Sequence, residues 1–202
     1  LDIGSGSGIL GILVKRDFEK LNLSQCEIQD TFQFLSQKNV QCNNLQSTLF
    51  KGDFSKIDFD KKFDLIVSNP PFYHAQVIKS LNENIKIARY NDSLPLENFI
   101  KKVSQVLNNN GKFLFCYDAK QLDVIVELCE KQKLNIEAVK FLHPKISKEA
   151  TLVMIMVKKN SKSLMKILPP FIMFEEDGEF TKNTLEIYDR CATHSIKAEV
   201  TL

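Results

Sequence analysis

The sequence predicts an α/β protein of the Rossmann-like, doubly wound type, with a mostly parallel seven-stranded sheet and an antiparallel last strand. Two observations support this fold class. Apolar runs of β type alternate with helical patterns, which is typical of a parallel sheet covered by helices on both faces. A glycine-rich stretch also lies between the first strand and the first helix, where doubly wound folds bind nucleotides.

The order of the predicted elements follows from periodicity. The chain begins in a strand at 1–3 and continues into a helix over 8–21, where apolar residues recur at the helical period. The later strands are predicted at 23–28, 48–51, 63–68, 112–117, 136–142 and 152–158. The later helices are predicted at 30–40, 96–107 and 121–132. No helix separates the last two strands, so we expect them to be antiparallel neighbours.

Two segments interrupt this alternation. The run Asn108-Asn109-Asn110-Gly111 is predicted to end the helix over 96–107, because its residues tolerate the left-handed backbone region. Beyond Lys159 the pattern weakens, and 168–190 is predicted to be a surface tail. We therefore expect one ligand-binding and catalytic domain over 1–160 and an extension over 161–202 that packs on it or trails it.

The composition limits the class of protein. With 202 residues, 44% of them hydrophobic, the chain can bury the core of one domain. Its 27 basic and 25 acidic residues give a net charge of +2, so a nucleic-acid site would have to be a local patch. No signal peptide is visible, and no run approaches the roughly 20 apolar residues of a membrane helix. The chain starts inside a strand without Met, so we expect an N-terminal segment to be missing.

The cysteines indicate a reducing compartment. An odd number of dispersed cysteines without a CxxC pair is typical of free thiols in a cytoplasmic protein, and it argues against a disulfide framework or a zinc site. We therefore expect a cytoplasmic protein that binds no metal. The five cysteines are Cys26, Cys42, Cys116, Cys129 and Cys191.

The glycine-rich stretch predicts a ligand-binding loop. It has the form D-x-G-x-G-x-G, with Asp2 followed by Gly4, Gly6 and Gly8. Glycines allow a tight turn and a close approach to a ligand. The dinucleotide fingerprint GxGxxG differs in its last spacing, and Asp2 disfavours a pyrophosphate. A cationic ligand without phosphate, such as S-adenosylmethionine, suits the loop better. The alternative is a plain tight turn between a strand and a helix.

Two acids end the next two predicted strands. Glu27 follows the glycine loop by roughly 20 residues, where a carboxylate can accept hydrogen bonds from both ribose hydroxyls. Asp53 ends the third strand, where a carboxylate can accept from an adenine amino group. A solvated acid at a strand end is the alternative for each. Three acids at three successive strand ends favour a shared site.

The fourth strand ends in the sequence Asn69-Pro70-Pro71-Phe72. Pro70 keeps Asn69 out of the helical region, and Pro71 fixes the next φ. The Asn69 side-chain oxygen and the Pro70 carbonyl can then accept both hydrogens of one NH₂ group, while Phe72 offers a face for stacking. Such a corner holds and orients an amine for transfer of a methyl group. The alternative is a proline loop that merely ends the strand.

These residues resemble the class I S-adenosylmethionine-dependent methyltransferases, and the Asn-Pro-Pro-Phe corner resembles their amino-methylating branch. Features further along the chain resemble the bacterial valine-tRNA adenine-N6 methyltransferase family. They are Ala88-Arg89-Tyr90, Leu94-Pro95-Leu96-Glu97, Phe141-Leu142-His143-Pro144-Lys145, Ile167-Leu168-Pro169-Pro170 and Glu176-Asp177-Gly178-Glu179.

The resemblance implies a role for each site residue. The cofactor S-adenosylmethionine would be bordered by Asp2 and the glycine loop at its methionine part, by Glu27 at the ribose and by Asp53 at the adenine. Asn69, Pro70 and Phe72 would hold the target base, with Asn69 also next to the cofactor. The implied reaction is methylation of N6 of an adenine in tRNA. A protein glutamine side chain as substrate, or an inactive RNA-binding module, remain the alternatives.

Lysines before and after the last strand are candidates for phosphate contacts, which supply most of the affinity for RNA. A solvated charged surface is the alternative. The lysines are Lys145, Lys148, Lys158, Lys159, Lys162 and Lys166.

Overall fold

The computed structural model describes residues 1–70 and 94–195. Within these ranges the chain forms one mixed sheet with helices on it, which confirms the predicted α/β class. The strands are β1 (Asp2–Ile3), β2 (Leu23–Glu27), β3 (Ser47–Lys51), β4 (Phe63–Ser68), β5 (Leu107–Asp118), β6 (Leu134–His143), β7 (Leu152–Lys159), β8 (Lys166–Ile167) and β9 (Phe171–Ile172). The helices are α1 (Ile9–Asp17), α2 (Asp30–Cys42), α3 (Leu96–Val106), α4 (Leu122–Lys131) and α5 (Lys182–Cys191).

The sheet has the doubly wound strand order β3-β2-β1-β4-β5-β7-β6-β8, and β9 also pairs with β6. Strands β1 to β5 pair in parallel. Strand β7 is antiparallel to both of its neighbours, β5 and β6, which confirms the prediction for the last two strands of the domain. Because β1 to β4 are parallel, their carboxyl ends meet at one edge of the sheet.

Helix α3 illustrates how the core forms from the sequence. Leu96, Phe99, Ile100 and Val103 lie at positions i, i+3, i+4 and i+7 and are all buried, so they form one apolar face. The ring of Phe99 lies 5.6 Å from that of Phe113 on β5 in an edge-to-face contact. Burying one such side chain stabilises the fold by about 1.5–3 kcal/mol, so this face fixes α3 against the sheet.

The end of α3 differs from the prediction. The helix stops at Val106 and the chain enters β5 directly at Leu107. Of the predicted terminating run, Asn110 adopts a left-handed backbone with a φ of 61°. Helix α1 also ends early, at Asp17, because Phe18 leaves the helical region with φ −131° and ψ 73°.

The segment after Lys159 is not a bare surface tail. Strands β8 and β9 extend the sheet along β6, and Phe171 is buried. Helix α5 is capped at its N-terminus by Thr181, whose hydroxyl accepts from the Thr184 N–H. Its far end reaches α1, because Arg16 donates to the backbone oxygens of the last residues of α5 and Arg190 pairs with Asp17 at 2.8 Å.

None of the helices in the described ranges is long and apolar enough to cross a membrane.

Candidate functional site

A cleft opens at the carboxyl ends of β1 to β4, with about 690 Å³ of empty space including its mouth. It lies where the strand order reverses direction around β1 and β4, the usual ligand site of doubly wound folds. Residues in or directly after each of these four strands line it. The lining residues are Ile3, Gly4, Gly6, Cys26, Glu27, Ile28, Gln29, Phe32, Gly52, Asp53, Phe54, Asn69 and Leu94.

Gly4 and Gly6 form the floor of the cleft next to β1. Both have a left-handed backbone, with φ values of 64° and 54°, and a Cβ added at either would meet no heavy atom within 4 Å. The Gly4 N–H donates to the Cys26 carbonyl at 2.9 Å, which ties the loop to β2. The loop therefore presents bare backbone to the space that a ligand would fill.

Gly8, predicted to border the cofactor, lies behind the loop and does not line the cleft. It precedes α1 with a φ of 86°. A Cβ at this position would lie 2.6 Å from the Gln25 amide nitrogen and 2.8 Å from the Ser36 hydroxyl. The absence of a side chain at Gly8 therefore allows α1, β2 and α2 to pack closely.

Asp2, also predicted to border the cofactor, points away from the cleft. Its carboxylate accepts from the Gly11 N–H at 2.9 Å and supports the first turn of α1. Burial raises the pKa of this carboxyl to about 7, although the Gly11 hydrogen bond opposes the shift. The spacing of the motif does not show this orientation. Successive side chains of a strand point to opposite faces, and in β1 it is Ile3 that lines the cleft.

Glu27 lies in the cleft wall with its carboxylate already engaged. One oxygen accepts from the N–H groups of Ile28 and Gln29, both at 2.9 Å. The other accepts from the Gly6 N–H at 2.7 Å. Glu27 thus shapes the glycine loop and the start of α2, and part of its capacity remains for a ligand.

Asp53 presents an ionised acceptor in the same cleft, after the neighbouring strand β3. Partial burial raises the pKa of its carboxyl, but hydrogen bonds from Ser55 and Lys56 outweigh burial and lower that pKa overall. The Ser55 hydroxyl lies 2.7 Å away and the Lys56 ammonium 3.3 Å away. An ionised carboxylate has about four acceptor sites, so it can still accept from a ligand amino group.

Asn69 stands at the mouth of the cleft directly after β4. The residue is exposed, and the following Pro70 is buried. The preceding Ser68 fixes the strand end, because its hydroxyl donates to the Ile3 carbonyl at 2.8 Å. The structure therefore brings Asn69 to the same cleft as the glycine loop, Glu27 and Asp53. Phe72 lies outside the described residues.

The sequence did not single out the apolar walls. Ile28 is 46% exposed although it follows a buried strand, and Phe32 lies one helical turn further on. Phe54 also lines the cleft. Such walls suit a flat ring. Cys26 adds an inert thiol, since burial and the nearby Glu27 raise its pKa to about 12. The sequence shows only that an isoleucine follows the strand-end acid Glu27, and its exposure is visible in the structure alone.

These features fit the adenosine part of S-adenosylmethionine. The cleft combines acceptors at two strand ends, apolar walls and a glycine floor with open space above it. In the described ranges no group of three or more metal-ligating side chains could hold a metal ion.

The predicted lysine patch is divided between two edges of the sheet. Lys145 and Lys148 lie in the β6–β7 connection, at the cleft edge. Lys158 and Lys159 end the antiparallel β7 and therefore lie at the opposite edge, about 20 Å away at the usual strand rise. Lys159 is also engaged, because its ammonium donates to the Ser104 and Leu107 carbonyls.

Comparison with known proteins places this cleft in a family context. The model of the methyltransferase small domain family matches residues 1–131. The tRNA1(Val) (adenine(37)-N6)-methyltransferase of Pedobacter heparinus is 29% identical over 146 residues, which are 71% of this chain and 62% of that protein. The release factor glutamine methyltransferase of Flavobacterium psychrophilum is 29% identical over 144 residues, which are 65% of this chain and 50% of that protein. The chain thus spans between a half and two thirds of the length of these curated relatives.

A solved structure has the same fold. It is that of a predicted O-methyltransferase from Agrobacterium tumefaciens, which superposes with a TM-score of 0.71 at 16% identity and covers 98% of this chain and 91% of that one.

Proposed function

Because the chain belongs to the methyltransferase small domain family, we propose that it transfers a methyl group from S-adenosylmethionine to an exocyclic amino group, and that this group is N6 of an adenine in tRNA. Residues 1–160 would form the cofactor-binding and catalytic domain, with 161–202 packed on it. The free cysteines Cys26 and Cys129 in the core are consistent with a cytoplasmic protein.

The observation that carries the proposal is the position of Asn69. Its exposed side chain shares one cleft with Gly6, Glu27 and Asp53. The Asn69 amide oxygen is an acceptor at the mouth of a site whose interior suits an adenosine. An acceptor there can bind the N–H of a second molecule, which brings that amine next to a cofactor held inside.

When bound, S-adenosylmethionine supplies an electrophilic methyl group on its sulfonium. The chain's own residues bind the cofactor and orient the amine. Gly4 and Gly6 leave room for close approach of the backbone, and Glu27 and Asp53 accept hydrogen bonds from the adenosine. Asn69 holds the amino group by one N–H and orients the nitrogen lone pair, which is catalysis by orientation and electrostatics. Asn69 is not a base, so the proton released from the amine passes to solvent.

Support for tRNA comes from the relatives, since the P. heparinus protein is named for adenine N6 in a tRNA. An adenine must leave its stack to reach Asn69, which costs little in a single-stranded loop. The lysines of both edges would contact phosphates along such a substrate.

A glutamine side chain in a protein is the second candidate. The similarity to the F. psychrophilum release factor methyltransferase favours it, and a carboxamide offers Asn69 the same NH₂ group.

Transfer of a labelled methyl group tests the proposal. The purified protein is incubated with labelled S-adenosylmethionine and either unmodified tRNA or unmodified release factor, and the tRNA nucleosides are separated by mass spectrometry. We expect label in N6-methyladenosine. Label in protein alone would select the glutamine candidate, and label in neither substrate would refute the proposed activity.

A further inference from the structure

The connection between β6 and β7 carries an exposed isoleucine at its tip. A turn there is closed by the Lys148 N–H, which donates to the Lys145 carbonyl at 3.0 Å, so Ile146 and Ser147 are its two central residues. Such positions are usually taken by glycine, proline, asparagine, aspartate or serine. The Ile146 side chain is 68% exposed, and among the large apolar side chains of the described ranges only Leu164 is more exposed. The turn itself therefore does not require an apolar residue at this position.

The turn is fixed to the protein on both sides of Ile146. The Lys145 ammonium donates to the Glu176 carbonyl at 2.7 Å. The Ser147 N–H and hydroxyl donate to the two oxygens of the Glu176 carboxylate at 3.2 and 3.0 Å. These hydrogen bonds hold the backbone around Ile146 in place, whereas its own side chain remains exposed.

This turn lies at the edge of the sheet where the cleft opens. Leu152, the first residue of β7, pairs with Asp118 at the end of β5. Strand β5 lies next to β4, which Asn69 follows. The connection is therefore displaced by two strands to one side of Asn69, about 10 Å at the usual strand spacing. Residues 144–151 are not among those that line the cleft, so they can contact the part of a substrate that stays outside it.

A tRNA substrate needs such a contact next to the cleft. When an adenine leaves its stack to reach Asn69, the bases on either side of it lose their stacking contacts. Proteins that open a stack of bases often insert an apolar side chain into it, and isoleucine is among the residues used. Because the turn around Ile146 is already held in place, little conformational entropy is lost when the side chain is inserted.

We propose that Ile146 is a substrate-positioning residue, which fills the gap left by the target adenine and packs against the bases beside it. This inference rests on the proposed methylation of tRNA and names a contact with the RNA outside the cleft. It gives the β6–β7 connection an apolar role in addition to the phosphate contacts of its lysines.

The substitution Ile146→Ala tests this role, because it removes the apolar bulk and leaves the hydrogen bonds to Glu176 in place. Single-turnover methylation of tRNA should slow by at least about tenfold, whereas methylation of a short unstructured RNA with the same adenine should not change, since that adenine has no stack to leave. Ile146→Leu keeps the bulk and should retain most of the rate on tRNA. Ile167→Ala is the matched control, because Ile167 is 63% exposed on β8, which pairs with the middle of β6. It should behave as the unchanged protein in each assay.

Fluorescence measures the unstacking directly. The adenine that becomes methylated is replaced in the tRNA by 2-aminopurine, whose fluorescence rises when it leaves a stack. The unchanged protein and Ile167→Ala should cause this rise, and Ile146→Ala should cause much less of it. Urea unfolding and the affinity for S-adenosylhomocysteine should be the same in all variants, because Ile146 is exposed and does not line the cleft.

Equal slowing of Ile146→Ala on tRNA and on the short RNA, or an unaltered rise in fluorescence, would overturn this inference and leave the proposed function standing. Slower methylation of release factor by the same variant, with tRNA left unmethylated by the unchanged protein, would show that Ile146 contacts a protein. Failure of the unchanged protein to methylate either substrate would overturn the proposed function together with this inference.

Discussion

The glycine loop provides a sharp test, because its residues face opposite sides. Gly6 lines the cleft and Gly8 packs against the interior. We expect Gly6→Ala to abolish measurable binding of S-adenosylhomocysteine with a small loss of stability. Gly8→Ala should instead cause a large loss of stability, because the added methyl meets side chains that have no room to withdraw.

The size of each effect follows from the geometry. Both positions have a positive φ, 54° at Gly6 and 86° at Gly8, and an alanine in that region costs about 1–2 kcal/mol. At Gly6 nothing further is lost, since no heavy atom lies within 4 Å of the new Cβ. At Gly8 the methyl would lie 2.6 Å from Gln25 and 2.8 Å from Ser36. Overpacking of this kind adds about 1–3 kcal/mol, so Gly8→Ala should cost roughly 2–5 kcal/mol in total.

Urea unfolding of the ligand-free protein measures the loss of stability, and calorimetric titration with S-adenosylhomocysteine measures the loss of binding. Gly178→Ala is a suitable control, because this glycine also has a positive φ and an open surrounding but lies far along the chain, in the turn before α5. It should lose stability as Gly6→Ala does and keep its affinity. Equal destabilisation at Gly6 and Gly8, or unaltered binding by Gly6→Ala, would refute the division of the loop into a ligand face and a packing face.

Three further predictions concern polar residues. Asn69→Ala should slow methyl transfer by at least about 10²-fold in single-turnover assays, with unchanged affinity for cofactor and RNA; normal turnover would show that Asn69 does not hold the amine. Asp53→Ala should raise the dissociation constant of S-adenosylhomocysteine about tenfold or more. Ser55→Ala keeps the carboxylate and should change that constant less; an equal change would show that the turn held by Ser55 determines binding, and not the Asp53 acceptor. Asp2 has a folded pKa of about 7 against an ordinary 3.8, so ionisation disfavours the folded state and stability should fall by up to about 4 kcal/mol as the pH rises from about 4 to about 7. Urea unfolding of Asp2→Asn across this range should lack that decline.

The fold was predictable because it depends on signals that act over whole elements. Alternating apolar runs and helical stripes predicted the parallel strands, and the absence of a helix between β6 and β7 predicted that these two strands are antiparallel. Matches to the methyltransferase family model confirm the class of enzyme fold that the glycine loop and Asn69 indicated. Helix α5 was not predicted, and unlike α3 it leaves apolar residues such as Leu185 and Ile187 exposed. Its polar attachments are the hydroxyls of Thr181 and Thr184, which donate to backbone carbonyls at β9, and Arg190, which donates to Asp17; such contacts carry no periodic signal.

The sequence predicted which strand ends form the site, but not which way each side chain faces. Gly4, Gly6, Glu27 and Asp53 meet at one cleft because parallel strands bring their carboxyl ends together. Spacing along the motif does not tell which way a residue faces, so Asp2 and Gly8 were assigned to the ligand although they support α1 and the packing of β2. Competition for acceptors is also invisible in the sequence. Only the three backbone donors to Glu27 reveal how little of that carboxylate is free.

The distribution of lysines helps to distinguish the two candidate substrates. Near the cleft, Lys145 donates to the Glu176 carbonyl, and the Glu176 carboxylate binds Ser147 of the same connection, so acidic groups offset the positive charge there. Lys158 lies at the far edge, with Lys112 directly across from it on the neighbouring strand. Like charges in such a pair are destabilising, but the Glu137 carboxylate lies close enough to both for Lys158 and Lys112 to contribute to the lowering of its pKa. A protein substrate and a tRNA can both reach charges about 20 Å from Asn69, but only the RNA carries a negative charge at every phosphate. If the proposed RNA substrate contacts these lysines, we expect methylation to weaken steeply with added salt.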